Sequence, residues 1–125
     1  MIQIPISFGE LIDKITILDI KSKFIKTPER LVNVQTEFNA LQHLVVTTGI
    51  NIKPDYDDYY DELMIINSRI WHLENQLRQL MALPTTDAEF IDTAVYIHRT
   101  NDKRAEVKKK INLAWDSHII EEKSF

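Results

Sequence analysis

From Tyr56 to Leu80 the apolar residues Tyr56, Tyr59, Leu63, Ile66, Ile70, Leu73, Leu77 and Leu80 recur at alternating spacings of three and four. That is the period of one helix face, sustained for on the order of 40 Å at about 1.5 Å per residue. Such a seam must be covered by other helices, either of the same chain or of a second copy in a two-fold homodimer. The rest of the chain agrees. Only two glycines and four prolines in 125 residues leave little material for the tight turns of an all-β fold.

Upstream, MIQIPI reads as an extended lead-in, because Pro5 pushes Ile4 away from helical angles. Ser7-Phe8-Gly9-Glu10 then has the S-x-x-E spacing of a capping box, which predicts a first helix running to about Lys26. Leu11, Ile15, Leu18 and Ile25 form one stripe of it, and Ile17, Ile20 and Phe24 a second, so this helix should have more than one neighbour. Asp13 projects into the second stripe, where an unpaired carboxylate would be expensive. Thr27-Pro28 restarts the helix, and Leu31, Val34, Phe38, Leu41 and Val45 carry a second one to about Gly49. After the GINIKP connection comes the long third helix, which ends at Leu83-Pro84. Thr86-Asp87-Ala88-Glu89 is a second capping box, opening a fourth helix that either continues to Trp115 or breaks at Thr100-Asn101-Asp102. The expectation is an all-α bundle of about four helices, built as two antiparallel hairpins with the long third and fourth helices as its spine, in a single domain over residues 1–125.

The fourth helix contains the chain's least conventional stretch. Phe90, Ala94, Ile97, Ile111 and Trp115 share one face, and Asn101, Arg104, Lys108 and Asn112 fall in its middle. Hydrophilic groups in an apolar face need partners. Candidates are Glu10 and Asp13 on the first helix, and the row Asn67, Glu74 and Arg78 beside the third-helix seam. Glu74 and Arg78 have the i, i+4 order that favours an ion pair. Lys14, Arg99 and Asp102 complete the set of charged candidates. One reading is a structural network that fixes helix register. The other is a pocket in which Asn101, Arg104 and Lys108 hold an anionic small molecule. An exposed basic face is the third.

Several classes of chemistry have no support in the residues. The chain has no cysteine, no glycine-flanked serine and no glycine-rich phosphate loop, so nucleophilic catalysis lacks its usual parts. No two of His43, His72, His98 and His118 stand four residues apart, and the paired E-x-x-E arrays of helical nucleotide pyrophosphohydrolases are missing; no metal site and no cofactor are expected. Asp57, Asp58, Asp61 and Glu62 read as the dipole-favoured start of the third helix. A net charge of −4 argues against nucleic acid, although KRAEVKKK is locally basic. No segment approaches the roughly 20 apolar residues of a membrane span, and the expected location is the cytoplasm. A non-catalytic binding or scaffold module is the reading these residues favour, with a small enzyme for an anionic metabolite as the competing class.

Four segments, PISFGELIDKITILDIK, INSRIWHLENQLR, VYIHRTNDKRAEVKKKIN and the terminal EEKSF, occur in this order along nearly the whole chain. In them the sequence resembles an uncharacterised family of small helical bacterial and phage proteins, classed as a domain of unknown function. Phe125 stands where that family usually ends in tyrosine. The resemblance implies a small soluble helical protein and brings no activity with it. ELIDKITILDIK is also similar to the first helix of chorismate mutases, which implies a dicarboxylate held by Arg104, Lys108, Arg78 and Lys14 in an all-helical dimer.

Overall fold

A computed structural model of the chain describes residues 1–84 and 87–123. It is an all-α bundle of four helices: α1 (Phe8–Phe24), α2 (Pro28–Thr47), α3 (Tyr56–Met81) and α4 (Ala88–Ala114), with one turn of 3-10 helix at Ile50–Ile52 between α2 and α3. No helix among the described residues is long and apolar enough to cross a membrane.

Helix α1 begins where expected, but only half of the capping box forms. Ser7 Oγ accepts from the Glu10 N–H at 3.1 Å, whereas the Glu10 carboxylate turns away to Lys108. The helix stops at Phe24, two residues before the expected end, because Ile25 is extended (φ −78°, ψ 125°) ahead of the Thr27-Pro28 restart. Proline opens α2 without help from the Thr27 hydroxyl, which makes no capping bond. Gly49, at φ +74°, closes α2 through its N–H to the Val46 carbonyl, a conformation that costs glycine little. Asp87 caps α4 by accepting from the Phe90 N–H at 3.2 Å. Thr86, the expected cap, lies outside the described residues, as do Ser124 and Phe125 of the terminal EEKSF. Helix α4 runs unbroken through Thr100-Asn101-Asp102.

The α3–α4 pairing is the most extensive in the bundle, as expected of its spine, and α1 packs on each of the other three α-helices, while α2 rests on α1 and the 3-10 turn. The burial agrees: α1 buries Gly9, Leu11, Ile12, Asp13, Ile15, Thr16, Leu18 and Ile20, and α2 buries only Val34 and Val45. The two apolar stripes of α1 account for this, since each meets a different neighbour. Ile12 and Ile15 of α1, Leu63 of α3, Ile111 of α4 and Val45 of α2 form the innermost core, each fully shielded from solvent.

Two further contacts fix the lower end. Trp115 lies against Phe8, Tyr56 and Tyr59, with ring centroids 5.8, 6.3 and 5.6 Å away, and its Nε1–H donates to the Pro54 carbonyl at 2.9 Å. The indole therefore ties the end of α4 to the α2–α3 connection. Tyr60 donates to Asp19 Oδ2 at 2.9 Å. Burial first, and that bond second, hold its phenol far above the usual tyrosine pKa.

Gly9 sets the spacing of α1 and α4. A methyl group there would run into the Lys108 carbonyl oxygen and stand 3.0 Å from Asn112 Oδ1, which receives the Gly9 N–H at 2.7 Å. In an exposed helix, alanine would improve on glycine by about 1 kcal/mol. Here the overpacking should reverse the sign: Gly9→Ala is expected to lower stability by about 1–3 kcal/mol and Tm by about 5–15 °C. Thermal unfolding followed by circular dichroism checks this, and an unchanged or raised Tm would contradict the close approach.

Candidate functional site

Asp13 lies at the junction of α1, α3 and α4 with 2% of its surface exposed. Its Oδ1 receives the Asn67 amide at 2.9 Å and faces Arg104 Nε at 3.4 Å; its Oδ2 faces Lys108 Nζ at 3.9 Å. Lys108 is held more tightly by Glu10, at 2.6 Å. Glu10 meets Lys108 and Asp13 meets Arg104, so α1 and α4 run antiparallel with the i, i+3 step of one matched to the i, i+4 step of the other. The polar residues in the apolar face of α4 are therefore what α1 packs against.

The orientation of each amide follows from proton counting. Thr16 spends its one hydroxyl proton on the Asp13 carbonyl at 2.7 Å, so its oxygen can only accept from Asn67 Nδ2, at 2.9 Å. The Asp13 carboxylate also accepts. Asn67 must then turn its NH₂ to both, which leaves Asn67 Oδ1 buried without a donor among the described residues. Asn112 is fixed likewise: its carbonyl takes the Gly9 N–H, and its NH₂ donates to Glu121 at 3.0 Å.

Residues 116–123 fold back over this end of the bundle. Ser7 Oγ donates to the Glu121 carboxylate, with its oxygens at 2.6 and 2.9 Å; Glu122 pairs with Lys109 at 2.7 Å, and Lys123 with Asp102 at 2.6 Å. The last two pairs are largely exposed and contribute little. Glu121 reaches the buried Ser7 and Asn112 and is the anchor.

Two clefts flank the network. The larger, about 550 Å³, lies between α4 and the folded-back tail and is lined by Asn101, Asp102, Arg104 and Lys108 among others. The smaller, about 160 Å³, lies between α1, α3 and α4, and Asn67, Glu74, Arg78 and Arg104 line it together with Ile17, Ile20, Ile70 and Trp71. Arg104 borders both.

Most of the candidates named from sequence thus come together. Glu10, Asp13, Asn67, Arg104 and Lys108 form one connected set, with Asn101 and Asp102 on the rim of the larger cleft. Glu74 does not join it. Its expected ion pair with Arg78 is not made either, because Arg78 donates to Asn75 at 3.3 Å instead. Lys14 and Arg99 are exposed and line neither cleft, so the four basic groups that a chorismate-mutase-like site would need do not converge. Among the described residues no group of three or more His, Cys, Asp or Glu could hold a metal ion. Ser7, Gly9, Thr16, Asn112 and Glu121 take part in the network beyond the candidates that the sequence suggests. Of these, Asn112 carries a sequence signal, a short amide in the middle of an apolar face.

For Glu121, burial alone would raise the pKa, but the bonds from Ser7, its own backbone and Asn112, with the charge of Lys108, outweigh it and set the carboxyl below its ordinary value. A depressed folded-state pKa means that the stability it confers is complete above the unfolded value and is lost as pH falls through the lowered one. Tm measured from neutral pH down to about pH 3 should fall more steeply in the parent than in Glu121→Gln. Parallel curves would mean that the anchor carries no such linkage.

The clustered residues span the chain from end to end: Ser7 to Thr16, Asn67, Arg104 to Asn112, and Glu121. No curated protein and no solved structure matches the chain significantly. The sequence profile of a protein family of unknown function, DUF6165, matches residues 2–125. Covering all but the first residue, that match identifies the chain as a member of the DUF6165 family.

Proposed function

We propose that this chain is a non-catalytic binding module in which the network around Asp13 is architecture. The observation that carries the reading is the enclosure of Asp13. A general acid or base must come within hydrogen-bond reach of a substrate proton, and a carboxylate with 2% exposure, surrounded by Asn67, Arg104 and Lys108, offers none. Its charge serves to align three helices.

A second reading has one observation in its favour. Asn101, Arg104 and Lys108, the three groups proposed to hold an anionic small molecule, line the same cleft of about 550 Å³, a volume ordinary for ligand sites. An anion entering there would compete with Glu121 and Glu122 for the cations.

Arg104→Met separates the two. Under the architectural reading it removes a charged partner of a buried carboxylate, costs about 1.5–3 kcal/mol and lowers Tm by about 5–15 °C. Near-normal stability, with loss of a thermal shift that citrate or pyrophosphate induces in the parent, would transfer the assignment to the anion reading.

The same proposal includes self-association through α4, whose Ile91, Val95 and Tyr96 remain exposed. Light scattering at high micromolar concentration should give twice the chain mass of 14.7 kDa, and a single-chain mass throughout would refute the dimer.

A further inference from the structure

We propose that the smaller cleft, between α1, α3 and α4, binds a free α-amino acid with a short aliphatic side chain. The proposal rests on the reading of the chain as a binding module, though not on the anion reading of the larger cleft. Three features of the cleft point to a zwitterion.

The first is a pair of acceptors. Proton counting leaves Asn67 Oδ1 buried with no donor among the described residues, an expensive condition for a carbonyl, and Asn67 lines this cleft. Glu74, two helical turns further along α3, lines it too and pairs with no described residue. Each of these acceptors, about 10 Å apart along the helix axis, would suit an ammonium group.

The second is a pair of cations. Arg104 borders the cleft with Asp13 as its partner among the described residues, through Nε at 3.4 Å, and Arg78 has only the bond of 3.3 Å to Asn75. A simple amine would meet their repulsion, and a simple carboxylate would meet that of Glu74. A ligand carrying both charges satisfies both pairs.

The third is an apolar wall. Ile17, Ile20, Ile70 and the Trp71 ring supply apolar surface, and Trp71 is held in place by stacking on Phe24 at 5.8 Å. The volume of about 160 Å³ suits the size class of alanine to valine.

The test is an NMR titration of the whole chain with L-valine, following the indole N–H signals of Trp71 and Trp115. Trp115 is at the other end of the bundle, against Phe8, and serves as the internal control. The expected result is a saturable shift of the Trp71 signal alone, with a Kd below about 1 mM. Isobutylamine and isovalerate, which are valine without its carboxylate and without its ammonium, should each bind at least about tenfold more weakly. Glu74→Gln, which lies outside the Asp13 network, should keep the parent Tm and bind valine at least about tenfold more weakly. Absence of a saturable shift, a half-molecule that binds as tightly as valine, or unaltered binding by Glu74→Gln would each overturn the proposal. None of these results bears on the stability loss expected of Arg104→Met, so the two readings fail separately.

Discussion

A carboxylate in the middle of a helix bundle has to be answered by positive or donating groups, and the answer to Asp13 dictates much of the structure. Removing an aspartate from water costs several kcal/mol unless it is paired and hydrogen-bonded. Here the partners come from two other helices, Asn67 from α3 and Arg104 and Lys108 from α4. A slip of either helix by one residue would rotate these groups away from the carboxylate by about 100°. The apolar core would tolerate such slips more readily, because isoleucine and leucine contacts are not directional. The charge thus selects one register among several that hydrophobic burial alone would allow.

Elements with strong periodicity or strong punctuation are legible in the sequence. The α3 seam, the Thr27-Pro28 restart and the Ser7 cap lie where spacing and residue type put them. What periodicity does not reveal is rank. The single stripe of α3 is conspicuous because it is long, whereas the two stripes of α1 blur into each other, so the helix that buries more residues has the weaker pattern. Asp13 with Arg104 is foreseeable because both break an apolar face. Glu74 departs from expectation because a favourable i, i+4 spacing to Arg78 is worth only a few tenths of a kcal/mol, less than the alternatives open to an exposed arginine. The tail resists reading for a different reason: DSHIIEEK has no period, and its position depends on Ser7 and Asn112, which are remote in sequence or in helix face.

Among the described residues the buried polar side chains are used almost without remainder. Thr16, Asn67 and Asn112 each have their orientation forced by a neighbour's need for a proton, so these side chains have no more freedom than those of the apolar core. Against that background the smaller cleft stands apart. It is lined by Asn67, by Glu74, which pairs with no described residue, and by two loosely held arginines beside apolar side chains. A bundle that satisfies its buried polar atoms elsewhere makes the Asn67 carbonyl informative.

The bond between Ser7 and Glu121 spans 114 positions of the chain. On a ribosome, α1 is made before α4, yet its N-terminal cap and its buried carboxylate wait for residues that emerge after it. Until Arg104 and Lys108 exist, Asp13 is better served by water, and its charge opposes premature burial of the apolar stripes beside it. The same aspartate that fixes the finished bundle therefore keeps the nascent α1 hydrated, so that the order of synthesis and the order of folding are decoupled by one charge.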